Sequence, residues 1–376
     1  MDALTYLKDL IRFPSVSSTS NREISDHVAE KLKDLGFEVE YLEYRDAEDV
    51  LKVSVVGCRG PGQGGLGYFA HTDVVPAEDW LDREHGPFDP VLKEDRLYAR
   101  GSCDMKGSLA CFLAACESVP PESQTAPVYV TCTADEEIGF GGAADVVARS
   151  TYYREMVESQ TPAVIGEPTL LSVVYAHKGV GGFRVISEGR AAHSSTRDGL
   201  NANLAMIPFL QEMLAIHQET ETDPRWMNDE FQPPTVTWNI GINDHTPAVN
   251  ITPPQSVCTV YFRPMPGTDS DELFDRVQRL AEKYGLVYDE KIRGNPVYTD
   301  PDSKFIKEML ELTNSDAAKT VAYGTDGAMF TELKNLVVCG PGDIAQAHTH
   351  DEWISLQQLE QGTELYRTLI QKYCQG

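Results

Sequence analysis

Imidazole and carboxylate side chains recur in this chain where an apolar run gives way to glycine or to a helical pattern. His71 and Asp73 follow "GYFA", Asp104 follows "YARGSC", Glu136 and Glu137 follow "VTCTAD", Glu167 follows "AVIG", and His348 and His350 lie in "GPGDIAQAHTHDEW". Each has an ordinary explanation when taken alone. A His-x-Asp is commonly a surface pair, adjoining glutamates a solvated patch, an aspartate before a helix its N-cap, and a glutamate before proline the close of a strand. Taken together they have a different meaning. Hydrolytic metal sites need neutral imidazoles and carboxylates converging from separate segments, and strand ends carry them because a rigid sheet fixes their geometry.

The elements that must position these residues follow from apolar periodicity. Runs at "FEVEYLEY", "LKVSVVG", "GLGYFA", "PVYVTCTA" and "PAVIGEP" predict strands, separated by helices over Ile24–Leu35, Met105–Ser118 and Gly142–Arg149. Alternation of this kind predicts an α/β fold with a largely parallel sheet. From "SVVYAHKGVGGFRVISEGRAAHSS" onward the rhythm changes to adjoining strands, a helix over Asn201–Gln218, the strands "PTVTWNIGI" and "SVCTVYFRP", and a helix after "PGTDSDE". That β-β-α-β-β-α order predicts an inserted α+β domain of about 120 residues. The polar stretch "ETETDPRWMNDEFQPP" reads as a long loop, and the α/β pattern resumes through "NLVVCGPGD" to a closing helix from Ser355.

Bulk properties exclude several functions. At 376 residues the chain exceeds what one hydrophobic core usually serves. Its formal net charge of −26 repels nucleic acid and anionic membrane surfaces, so neither is expected as a partner. The opening "MDALTYLKDLIRFPSVSS" predicts an amphipathic helix ended at Pro14 rather than a targeting segment, and no window supplies the ~20 apolar residues of a spanning helix. None of the eight cysteines forms a C-x-x-C, and several sit in apolar patterns, as reduced core residues of a cytoplasmic protein would.

The motifs, in their order, resemble the M20 metallopeptidases and deacylases. The likeness runs through "FPSVS", "HTDVVP", "LYARGSCDMKGSLA", "TADEEIGFGGA", "GEPT", "HKGVGGFRVISEGRAAHSS", "AVNITPP", "FRPMPG", "YGTDGAMF" and "CGPGDIAQAHTHDEW". It implies a zinc-peptidase-like catalytic domain over 1–173 and 292–376, and an inserted ferredoxin-like lid or dimerisation domain over 174–291. It further implies two zinc ions, one bound by His71, Asp104 and Glu167 and the other by Asp104, Glu137 and His348, with Asp104 bridging. The nitrogen and oxygen donors suit zinc first, with cobalt or manganese as substitutes. Asp73 would accept the second His71 N–H and so fix its tautomer.

Neighbouring strand residues point to opposite faces, so Glu136 and Glu137 are not expected to be twin ligands. The resemblance makes Glu136 the general acid/base of amide hydrolysis. It assigns His193, in "AAHSS", to oxyanion stabilisation in the other subunit of a homodimer. Arg263 and Asn250 would bind a substrate α-carboxylate, a task that suits a guanidinium fork. Gly324 and Thr325 would line the acyl pocket. His177 and Lys178 are left unassigned, and His350 is read as a neighbour of the ligands rather than one of them.

Within the family, "YGTDGAMF" and "CGPGDIAQAHTHDEW" look most like the acetylornithine deacetylase group. The implied reaction converts N-acetylornithine to ornithine and acetate, in arginine biosynthesis. Succinyl-diaminopimelate, acetylcitrulline and dipeptide substrates are the alternatives on the same architecture. A non-catalytic binding protein on this fold would lack the base, whereas Glu136 is present.

Overall fold

The computed structural model describes residues 1–82, 84–246 and 248–375. The chain divides into two compact units: Met1–Ala176 with Tyr298–Lys319 and Thr325–Gly376, and His177–Val297 with Thr320–Gly324.

The first unit is built on a mixed sheet. Its strands run in the spatial order Glu38–Arg45, Leu51–Arg59, Val128–Thr133, Leu66–His71, Ala163–Pro168, Leu336–Gly340 and Val174–His177. The centre is parallel: Leu66–His71 pairs in parallel with both Val128–Thr133 and Ala163–Pro168, and Leu336–Gly340 pairs in parallel with Ala163–Pro168. The flanking pairs are antiparallel. Every residue of Leu66–His71, Val128–Thr133 and Ala163–Pro168 is buried, which explains why these strands read as continuous apolar runs rather than as alternating ones.

Helices Ala3–Ile11, Lys106–Ser118 and Leu356–Cys374 pack together beside the central strands. A buried hydrogen-bond chain ties this layer to the sheet. Tyr68 Oη meets Ser108 Oγ at 2.8 Å, Ser108 Oγ meets Tyr366 Oη at 2.8 Å, and Tyr366 donates to the Cys339 carbonyl at 3.1 Å. Tyr68 also stacks on Phe112 with centroids 3.9 Å apart. The close approach needs Gly166, because a Cβ there would lie 2.1 Å from Ser108 Oγ.

The second unit carries a four-stranded antiparallel sheet in the order Thr237–Asn243, Gln255–Arg263, Val180–Glu188, Val287–Gly294, with helices Asn203–Thr222 and Ser270–Lys283. Its chain order is β-α-β-β-α-β. The expected β-β-α-β-β-α differs because Val174–His177 joins the central sheet of the first unit, while Val287–Gly294 supplies a fourth strand that sequence reading passed over. The charged alternation "VYDEKIRG" hid that strand, which has only one buried residue. The stretch expected as a long loop after Gln218 begins as helix, to Thr222, and its Trp226 and Phe231 are buried. Lys178 Nζ donates to the carbonyls of Pro233 and Thr235 at 2.9 and 2.7 Å and so pins the end of that segment.

All eight cysteines are free, seven of them buried. Among the described residues no helix is long and apolar enough to cross a membrane.

Candidate metal centre

Parallel pairing puts the carboxyl ends of several strands at one edge of the sheet, where open α/β folds place their sites. His71 is the last residue of its strand and is in register with Thr133; Glu167 is next to last in its own strand. The chain that leaves Thr133 therefore carries Glu136 and Glu137 toward His71. Asp104 arrives from the loop before Lys106–Ser118, and His348 from the segment after Leu336–Gly340.

The side chains of these residues meet. His71 Nε2 lies 3.2 Å from Asp104 Oδ1 and 3.6 Å from Glu167 Oε1. His348 Nε2 lies 3.0 Å from Glu137 Oε2 and 3.4 Å from Asp104 Oδ2. Asp104 thus turns one oxygen to each imidazole. It caps no helix: the helix is entered at Met105 without a side-chain cap. Ligand atoms of His71, Asp104 and Glu137 lie within 4.8 Å of one another, as do those of His71, Glu136 and Glu167.

Two expectations are corrected here. Glu136 and Glu137 do not lie on a strand; they occupy a 3-10 turn, Glu136–Ile138, because Asp135 adopts a left-handed conformation with φ 58° and ends the extended run. Strand alternation therefore does not govern which way they point. The second correction concerns Asp73. His71 Nδ1 is 2.9 Å from the Asp73 backbone carbonyl and 3.7 Å from its carboxylate, so the main chain fixes the ring. The Asp73 carboxylate instead accepts from the Glu136 and Glu137 amides, at 3.2 and 3.3 Å, and from Ser17 Oγ at 2.7 Å. It holds the glutamate turn against the strand end.

The electrostatics are those of crowded acids. Burial works to lower the His71 pKa, but Glu167, Asp104 and Glu136 outweigh it and hold the imidazolium well above its ordinary range. Burial together with neighbouring carboxylates raises Glu136 and Glu167 well above the usual carboxylate range. Hydrogen bonds to Asp104 and Glu137 raise His348 to about 10. Asp104 goes the other way, because bonds to His348 and His71 overcome burial. Glu137 Oε1 is buried and has no hydrogen-bond partner among the described residues. An excess of enclosed carboxylates, two imidazoles, no thiolate and an unsatisfied buried oxygen make a donor set that fits hard or borderline divalent cations.

The remaining expected residues are distributed as follows. His193 is exposed in the second unit, its Nδ1 2.7 Å from Ser195 Oγ, and its backbone bridges to Ile251, which brings Asn250 beside it; Ser194 N donates to the Asn250 carbonyl at 3.0 Å. Arg263, in the same unit, has no carboxylate partner among the described residues. A Cβ on Gly324 would come 3.0 Å from its Nη1. Thr325 is buried in the first unit and accepts from the Gly327 amide at 3.0 Å. His177 is buried, with Nδ1 2.8 Å from the Lys178 carbonyl. His350 pairs with Asp79 at 2.8 Å, away from the ligand cluster.

Sequence reasoning passed over Lys52, Tyr44, Asp135 and Asp326. Lys52 Nζ donates to Asp135 Oδ1 at 2.6 Å and Tyr44 Oη donates to Asp135 Oδ2 at 2.6 Å, which anchors the residue before Glu136. A lysine inside the apolar run "LKVSVVG" was the available signal, since a charge there needs a buried partner. Asp326 accepts from Thr133 Oγ1 with one oxygen, has its other oxygen buried without a partner among the described residues, and is raised by burial to about 7.

Residues 67–372 match the sequence profile of peptidase family M20/M25/M40. Similar proteins include the acetylornithine deacetylase of Myxococcus xanthus, 32% identical across 98% of this chain and 97% of that protein. The acetylornithine deacetylase of Proteus mirabilis is 31% identical across 98% and 95%. Among solved structures, the M20 family metallo-carboxypeptidase Sso-CP2 from Sulfolobus solfataricus superposes with a TM-score of 0.78 at 16% identity, covering 99% of each chain. YXEP of Bacillus subtilis, described as a dinuclear metal binding peptidase from the M20 family, gives a TM-score of 0.64 at 14% identity over 98% and 96%. At these identities the two structures speak for the fold.

Proposed function

The chain belongs to peptidase family M20/M25/M40, and from that premise we propose that it is a metal-dependent amidohydrolase that converts N-acetylornithine to ornithine and acetate. The observation that carries the hydrolytic reading is the meeting of His71, Asp104, Glu137, Glu167 and His348 at the strand ends, with Glu137 Oε1 left unsatisfied. The choice of acetylornithine rests on the names of relatives about a third identical over nearly the whole chain. Arginine biosynthesis is the corresponding setting.

His71, Asp104 and Glu167 would hold one ion, and Asp104, Glu137 and His348 the other, with zinc the first choice and cobalt or manganese able to replace it. Divalent ions held there supply Lewis acidity toward water and the acyl carbonyl. Glu136 takes the proton of the attacking water and returns it to the leaving amine. Burial, with neighbouring carboxylates, raises Glu136 above the usual carboxylate range, which strengthens it as the base that takes this proton. Asp73 keeps Glu136 in place through the two amide bonds.

In the second unit, Arg263 and Asn250 bind the substrate α-carboxylate, the planar guanidinium fork of Arg263 being suited to a bidentate pairing with that group. Gly324, beside Arg263, and Thr325 shape the acyl pocket. His193 donates to the oxyanion of the partner protomer in a homodimer formed through the inserted domain, 174–291, with 1–173 and 292–376 forming the catalytic domain. Leu204, Ile207 and Leu214 support that interface: they share one face of Asn203–Thr222 and are more than half exposed. The free thiols accord with a cytoplasmic location.

A panel of N-acyl amino acids assayed with added metal tests the reading. Acetylornithine should give the highest kcat/KM among acetylornithine, acetylcitrulline, succinyl-diaminopimelate and dipeptides. A better substrate elsewhere in the panel would reassign specificity within the family, and metal uptake without turnover of any member would point to a binding protein.

A further inference from the structure

Glu352 is completely buried, and its carboxylate is spent on the main chain that leads into Asp104. One oxygen, Oε2, accepts from Arg100 Nη1 at 2.8 Å and from the Gly101 amide at 2.9 Å. The other, Oε1, accepts from the Cys103 amide at 2.7 Å and the Asp104 amide at 3.0 Å. The Glu352 carbonyl accepts from the Ala99 amide at 3.0 Å, and the next residues, Trp353 and Ile354, pair with Tyr98 and Leu97. Glu352 is thus joined to a continuous stretch ending at Asp104.

We propose that Glu352 is a positioning residue: by gripping the Gly101, Cys103 and Asp104 amides it sets Asp104 to face His71 and His348 together, and so governs both ion sites at once. The inference rests on the metal reading above. The same short segment supplies His348, four residues earlier, so one piece of chain both presents an imidazole to Asp104 and fixes the Asp104 backbone. A ligand shared between two ions tolerates displacement poorly, because one shift degrades two coordination geometries. Four hydrogen bonds to one ionised carboxylate cannot be reproduced by a carboxamide, whose NH2 would face N–H donors and leave at least one pair unsatisfied.

The test compares full-length wild type, Glu352→Gln and Glu352→Asp, with His350→Ala as a control outside the cluster. Each is titrated with Co²⁺ and followed by visible absorption and by chelator competition, with folding monitored in parallel. Glu352→Gln should bind cobalt 10–100-fold more weakly at both sites, the range seen when groups that orient ligands are lost, and its absorption bands should change; His350→Ala should match wild type. If Glu352→Gln does not fold, Glu352→Asp, which keeps the charge on a shorter arm, should show the same weakening to a smaller degree. A folded Gln or Asp variant with wild-type affinities and spectrum, or one weakened at a single site, overturns the inference and leaves the metal reading standing. Wild type that takes up no cobalt overturns both.

Discussion

Lys52 Nζ donates to Asp135 Oδ1 at 2.6 Å with both side chains buried, 83 residues apart in sequence and one position before Glu136. A lysine enclosed in this way is held by its partner, and the partner by it. Lys52→Met leaves the buried Asp135 carboxylate without its cationic partner, with the Tyr44 hydroxyl still donating to it, and should cost about 3–5 kcal/mol of stability. Denaturant unfolding measures this directly. Adding Asp135→Leu to Lys52→Met should recover part of the loss, because the stranded charge is then gone. A cost below about 1 kcal/mol for the single variant would show the pair to be dispensable.

Removing ligands should separate the two ion sites. His71→Ala should empty mainly one and His348→Ala mainly the other, whereas Asp104→Ala should weaken both, since its two oxygens face different imidazoles. Metal analysis after dialysis against a weak chelator distinguishes the cases. Two tightly bound equivalents in Asp104→Ala would rule out its bridging position.

The adjoining glutamates should part company on substitution. Glu136→Gln keeps both ions but loses roughly 10²–10⁴ in kcat, the usual contribution of general acid–base catalysis. Glu137→Gln loses metal as well, because its carboxylate pairs with His348. A dead Glu136→Gln protein that had also shed an ion would send the two roles back for exchange.

Co-expressed heterodimers test whether His193 acts across subunits. His193 lies in the second compact unit and the ligand cluster in the first. A dimer of His193→Ala with Glu136→Gln would contain one site lacking both groups and one intact site, so about half of wild-type turnover per dimer should return although each mutant homodimer is nearly inactive. Verified heterodimers that stay inactive, or a fully active monomer in sedimentation, would exclude the trans arrangement.

What the sequence determined by itself is the set of elements and the residues at their ends. Unbroken apolar runs such as "GLGYFA" and "PAVIGEP" mark buried parallel strands, because a strand covered on both faces has no polar side to alternate. His71 and Glu167 could be placed at strand ends from that pattern, and the order of motifs brought in Asp104, Glu137 and His348. Tertiary structure alone decided what each side chain faces. Local periodicity carries no record of contacts across 83 or 252 residues, so neither Lys52 on Asp135 nor Arg100 on Glu352 could be read from spacing. The duty of Asp73 was undecidable for the same reason. Whether its carboxylate meets the His71 ring or the amides of Glu136 and Glu137 depends on where the chain turns after Thr133, and that turn is set by Asp135 entering the left-handed region against a buried lysine.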